Sequence, residues 1–271
     1  MFSILAEMLS FTFITRALLV GTLVALCSAL LGVSLVLKRY SMIGDGLAHV
    51  GFGAFAIAFA FSWAPLAISI PVVLVAAFLL LRMSSNSKIK GDAATALVMS
   101  SSLAIGVMVM ALNDGLNADV CNFMFGSILA MRPNDVYLSV AVAVVVFVLY
   151  IVFYNRIFAV TFDETFAKAT GTKAGHYASL LAFLTALIIV IGMEMMGALL
   201  ISSLIVFPPL TSMRVFKSFK GVVVCSAILS VICFFVGIVI SYILATPTGA
   251  SVVIVNLAAF LLFSLIGFIR R

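Results

Sequence analysis

Long apolar runs separated by short polar or basic turns make up almost all of this 271-residue chain. The runs cover about residues 11–37, 42–61, 66–81, 93–112, 136–154, 177–193, 197–213, 221–244 and 250–269. Most approach the roughly 20 apolar residues that a helix needs to cross a bilayer. Apolar residues follow one another within each run, whereas the strand of a membrane barrel would alternate. A helix also satisfies its own backbone in lipid, which an isolated strand does not. The pattern therefore predicts an all-α polytopic membrane protein of about nine transmembrane helices, forming a single transmembrane domain over residues 1–271. One further apolar piece, residues 120–131, is too short to cross and is expected to lie at, or dip into, the outer surface. The longest polar excursion falls at about residues 156–176.

Composition sharpens this picture. Hydrophobic residues make up 65% and charged residues only 9% of the chain, against roughly 25% charged in soluble domains. That deficit excludes a soluble enzyme, a disordered chain and a nucleic-acid binder. The net charge of +6 is explained by position: 13 of the 15 Lys and Arg fall in the turns 38–39, 82–90, 156–173 and 214–220 and at 270–271, all on one side of a nine-span topology. Asp114, Asp119, Asp135 and Glu194 fall on the other. The positive-inside rule then places the N-terminus outside and the C-terminus in the cytoplasm. Residues 1–10 lack a basic leader and a cleavage site, so no cleavable signal is expected. The four cysteines form no CxxC pair and are expected to pack as small hydrophobes.

Ionisable groups at membrane depth are costly and therefore informative. Asp45 and His49 are four residues apart, so on a helix they share one face. Carboxylate oxygen and imidazole nitrogen are ligand types for zinc, manganese or ferrous iron. Spacing alone supports both a metal-path pair and a helix cap bonded to a histidine. Two ligands are few, and a symmetry-related copy would raise the set to two Asp and two His. The glycines at 44, 46, 51 and 53 leave room for a neighbouring backbone or an ion. Glu194 is expected at the outer end of its span, exposed at the interface or serving ion entry. Pro208 and Pro209 remove backbone donors and predict a helix break, a feature that in membranes lines cavities or moves.

The polar segment carries its own signals. Thr161, Phe162, Asp163 and Glu164 fit a capping box with Thr161 as N-cap, and Gly171 fits a terminator. A short helix between them would offer Phe162 and Phe166 with Ala167 and Ala169, a face suited to a partner groove or to the membrane surface. No GxxxxGK[ST] loop occurs, so nucleotide is not bound here by that route; no HExxH or GxSxG supports an intramembrane enzyme.

Residues 41–49 (SMIGDGLAH), 162–167 (FDETFA) with Gly171, and 197–209 (GALLISSLIVFPP), with Pro247-Thr-Gly249 fitting less specifically, resemble the ABC-3 family of zinc and manganese/iron permeases. The resemblance covers nearly the whole chain. Gly46, Gly51 and Pro209 depart from common choices in that family. It implies a type II-importer-like fold and a homodimer of permeases with two cytoplasmic ATPase subunits and an extracytoplasmic metal-binding protein. It also implies Asp45 and His49 on the metal path, and ATPase coupling through Asp163 to Gly171. The expected function is ATP-driven import of a divalent transition metal by alternating access, zinc first and manganese or iron next. No cofactor is held permanently, ATP is hydrolysed on the partner chain, and lipid surrounds the spans. An ion-coupled secondary transporter is the alternative, with Asp45 as proton relay, but it has no need of a capped cytoplasmic helix.

Overall fold

The structure is a computed structural model describing residues 8, 10–86, 91–113 and 133–269. All regular structure among these residues is helical. The helices are α1 (Thr12–Leu37), α2 (Ile43–Ala60), α3 (Pro65–Asn86), α4 (Gly91–Ala111), α5 (Pro133–Val152), α6 (Tyr154–Phe162), α7 (Glu164–Ala169), α8 (Ala174–Met196), α9 (Ala198–Ser212), α10 (Phe219–Leu244) and α11 (Thr248–Ile269). Each of the nine apolar runs holds a helix. By length and apolarity alone, six of those described qualify as membrane spans: α1, α2, α4, α8, α10 and α11. A seventh is added if α5 and α6, bent by 70° at their junction, count as one, while α9 and the Pro65–Leu80 part of α3 are shorter apolar helices. The surface piece expected at 120–131 lies outside the described residues.

Helix α1 is the central element and packs against α5, α6, α8, α9 and α10. Its sequence explains why. In lipid, helices gain little from hydrophobicity towards one another and associate by close approach, which small residues permit. Gly21, Ala25, Ser28 and Gly32 put such residues at spacings of four, three and four along α1. The Phe234 ring of α10 occupies the space a side chain at Gly21 would need. The Ser230 hydroxyl of α10 donates to the Ala25 carbonyl at 2.8 Å, and the Cys27 thiol donates to the Ala143 carbonyl of α5 at 3.3 Å.

The contact at Gly32 bears on the prolines. Pro208 and Pro209 lie inside α9, which runs through them without interruption. The break expected at this pair is therefore corrected: it falls at Gly197, between α8 and α9, where φ 85° and ψ 158° suit glycine alone. A proline φ fits a helix; the pair costs two backbone donors, those that would reach the carbonyls of Leu204 and Ile205, and its rings crowd those same carbonyls. A Cβ at residue 32 would fall on the Ile205 carbonyl oxygen. Glycine instead presents a Cα hydrogen, a weak donor, to that oxygen.

Contacts between the ends of helices gather most of the basic turns at one end of the bundle. Lys38 reaches Glu164, the Phe162 ring meets Phe219, and Gly267 of α11 abuts the Arg214 carbonyl. The turns at 38–39, 156–173 and 214–220 and the end of α11 thus share one level.

Gly32→Ala is expected to force α1 and α9 apart and to destabilise the purified protein by about 1–3 kcal/mol, a typical cost of overpacking. Thermal unfolding in detergent reads this as a lower midpoint, and an unchanged midpoint would remove Gly32 from its proposed role.

Candidate functional site

The candidate site is built on the first two turns of α2. From Ile43 to Ala56 every residue of α2 is buried except Asp45 and His49. The pair therefore occupies the helix's one open strip, with Asp45 33% and His49 12% exposed. The Asp45 Oδ1 to His49 Nε2 distance is 3.8 Å, too long for a hydrogen bond and short enough for both atoms to face one small volume. Met42 is the N-cap of α2 and makes no side-chain cap bond; the recorded side-chain partners of Asp45 are His49 and Ser202.

The glycines around the pair belong to its neighbours. A Cβ on Gly46 would meet Thr95 of α4 at 2.5 Å, and one on Gly53 would meet the Ser102 carbonyl at 2.9 Å. A Cβ on Gly51 would overlap Met193 of α8, and one on Gly44 would press on the Ile205 side chain of α9 at 3.1 Å. Of the two uses expected for these glycines, close packing is the one observed, and it fixes α2 from behind while its polar strip stays open.

Ser202 of α9 completes the cluster. Its hydroxyl lies 3.2 Å from Asp45 Oδ1 and 2.9 Å from the Ala198 carbonyl, so its one proton is shared between the two acceptors. Leu199, Ser202, Val206 and Leu210 form the incompletely buried strip of α9 beside that of α2. Sequence reasoning missed Ser202; its one signal was a pair of adjacent serines in an otherwise apolar run. Among the described residues no third His, Cys, Asp or Glu gathers at the pair. Glu194 sits half-buried near the C-terminal end of α8, just ahead of the Gly197 break.

The polar segment at 156–176 differs from its expected form. Thr161 is not a cap: it lies within α6 and donates its hydroxyl to the Ile157 carbonyl at 2.7 Å, a bond available only inside a helix. The cap is Asp163, extended at φ −147° and ψ 98°, whose carboxylate accepts from the Phe166 amide at 2.8 Å. Asp163 thereby divides α6 from α7, and Phe162 and Phe166 stand on different helices. Both rings remain exposed, at 59% and 65%, and Phe162 also packs edge-on to Phe219 at 5.8 Å between centroids. Ala167 points inward with Val160 and Ala174, so the open face is aromatic without it. Gly171, at φ 81°, is the terminator expected.

Lys38, by sequence one of the basic turn residues, stands at the end of α1. Its ammonium is 3.7 Å from Glu164, which also pairs with Lys168 at 2.9 Å. The Lys168 hydrogen bond does most to hold the Glu164 carboxyl below its ordinary range, and the charge of Lys38 adds to it. At Lys38 burial outweighs the attraction of Glu164 and lowers the ammonium below its usual value. The pair thus anchors α7 to α1 at some desolvation cost.

The profile of the ABC 3 transport family matches residues 10–267. The chain is similar to the manganese import system permease protein ScaB of Streptococcus gordonii, 27% identical over 251 residues and covering 93% of this chain and 90% of that one. It is also similar to the high-affinity zinc uptake system membrane protein ZnuB of Haemophilus influenzae, 28% identical over 253 residues, with 93% and 97% covered. Among solved structures it resembles PsaBC from Streptococcus pneumoniae in complex with Fab, with a TM-score of 0.85, 26% identity, and 96% of this chain and 94% of that chain covered.

Glu164→Gln is expected to lower the thermal midpoint, because Lys38 then keeps its burial and loses its carboxylate partner. Lys38→Met in the same background should restore most of the loss. Equal midpoints for all three proteins would show that the pair anchors nothing. The carboxylate contribution is fully present above its unfolded pKa and is lost as pH falls through its lowered folded value, so the difference between wild type and Glu164→Gln should vanish only in acid.

Proposed function

The chain belongs to the ABC 3 transport family, a multi-pass cytoplasmic-membrane protein, and on that premise we propose that it is the permease subunit of an ATP-driven importer of a divalent transition metal. The carrying observation is the open strip of α2, where Asp45 and His49 are the incompletely buried residues in an otherwise buried stretch. Ionisable groups are retained at such places when they handle a polar cargo.

Depth supports the same conclusion. Ser202, which touches Asp45, stands ten residues before the end of α9 at Ser212, roughly 15 Å along the helix axis. That is about half of a hydrocarbon core of roughly 30 Å. A residue that merely capped a helix at the membrane rim would not need to meet α9 so far from its end. On the proposed nine-span topology the N-terminus is external, the basic end is cytoplasmic, and Glu194 beside the Gly197 break is the entry carboxylate.

Each chain offers one carboxylate and one imidazole, and a homodimer would bring two of each to the ion. Such a nitrogen and oxygen set favours zinc first, with manganese and ferrous iron as close alternatives. An extracytoplasmic binding protein would deliver the metal. Two ATPase subunits would dock on the exposed Phe162 and Phe166 around α7 and drive alternating access. Movement of α7 would reach α1 through Glu164 and Lys38, and α1 carries it to α9 and so to Asp45.

The test is reconstitution of the chain with its ATPase and binding protein, followed by uptake and ATP hydrolysis with zinc, manganese or ferrous iron. Stimulation strongest with zinc is expected; strongest stimulation by manganese or iron would replace zinc within the same mechanism. Asp45→Asn or His49→Ala should abolish uptake while the ATPase still copurifies. Normal uptake in both variants would reduce the pair to a structural cap, and gradient-driven uptake by the chain alone would overturn the importer assignment. Phe166→Ala should weaken ATPase copurification and leave folding intact, since its ring is exposed.

A further inference from the structure

A groove of about 540 Å3 runs along the outside of α10, bounded by Phe216 and Lys220 at the basic end and by Val224, Ile228, Ile232 and Phe263 of α11 along its length. Val224, Ile228 and Ile232 recur every four residues and are each about half exposed, so the groove is an apolar strip on the outer surface of the bundle. Nothing in the transport mechanism uses it. We propose that it holds one phospholipid with an anionic headgroup, drawn from the leaflet at the basic end of the bundle.

Length, polarity and charge each support that occupant. From Lys220 to Ile232 is twelve residues of helix, roughly 18 Å, close to the depth of one leaflet in a core of roughly 30 Å. Beyond Ser218 and Lys220 at the basic end the lining is apolar, as an acyl chain requires. At the basic end Lys217 and Lys220 are both exposed, and among the described residues neither side chain enters an ion pair or hydrogen bond. Arg214 differs: its guanidinium lies over the Phe260 ring, 5.1 Å from the centroid. Lys220 lines the mouth of this leaflet-deep apolar groove, and Lys217 lies in sequence between two further lining residues, Phe216 and Ser218. Two such cations complement a phosphate headgroup joined to a chain, and long basic side chains at helix ends reach the headgroup level readily. A second protein copy would match the apolar strip but would leave the two lysines at its edge without a counter-charge.

The full-length chain in nanodiscs of phosphatidylcholine, with and without phosphatidylglycerol, is extracted and its retained lipid counted by native mass spectrometry. One phosphatidylglycerol per chain is expected, retained in preference to phosphatidylcholine. Lys217→Gln and Lys220→Gln should each reduce that retention about fivefold, the usual contribution of one juxtamembrane cation. Ile228→Trp fills the groove and should displace the lipid, whereas Ile254→Trp, on an exposed position of α11 outside it, should not. The proposal is overturned by equal retention of both lipids, by retention that survives loss of both lysines, or by an Ile228→Trp variant that disrupts self-association and leaves lipid retention unchanged. The thermal midpoint of each variant separates loss of the site from loss of the fold, and none of these outcomes depends on the transported ion.

Discussion

The approach of Gly32 to the Ile205 carbonyl is the constraint on which the rest of the bundle depends. Two adjacent prolines in α9 take helical donors away from consecutive carbonyls, a costly loss in a medium without water. Only a glycine on the facing helix can bring a backbone close enough to cover one of them. The same residue, Ile205, presses its side chain on Gly44 of α2, next to Asp45, and lies one turn from Ser202. Three helices therefore converge on one residue, and the polar cluster sits on the side they leave open.

From this point α1 runs about a turn and a half to Lys38, where the pair with Glu164 fixes the short helix α7. The exposed aromatic rings and the half-buried polar pair are thus joined through helix and side-chain contact, with no flexible linker between them. Electrostatics explains why the junction is ionic. Glu164 is anchored by Lys168 on its own helix, so α7 keeps a defined carboxylate for Lys38. The ammonium bears the burial cost at the end of α1. An apolar contact would hold the helices as well, but a single ion pair sets their register and separates without exposing a large apolar face.

Much of this was legible in the chain. Continuous apolar runs located the helices, because a backbone in lipid has few alternatives. The spacing of Asp45 and His49 was sufficient to put them on one strip, since four residues on any helix do so. What failed were choices that depend on a neighbour or on competition between caps. Thr161 and Asp163 both fit an N-cap, and the sequence does not say that α6 would continue through Thr161 and use its hydroxyl internally. Pro208-Pro209 reads as a break until Gly32 is placed beside it. Ser202 becomes informative only when α9 is laid against α2, 157 residues away in sequence. The count of true membrane crossings is harder still, because α9 and the apolar part of α3 are helices shorter than a full span.

The incompleteness of the polar cluster is itself an argument about mechanism. A permanent metal site gathers three or four ligands within one fold and holds them with further hydrogen bonds. Here one chain brings a carboxylate and an imidazole, and among the described residues no third ligand of that kind. The Ser202 hydroxyl orients the carboxylate while sharing its proton with the Ala198 carbonyl, so the restraint is light. In the proposed importer, cargo must leave as readily as it enters, and a site divided between two copies would release its ion when the copies part. The open strips of α2 and α9 lie side by side, so a second chain seated there would complete the ligand set and cover the exposed edge of Asp45 together. Because α1 ties that surface to the aromatic face around α7, a push on the latter would change the distance between the two halves of the site.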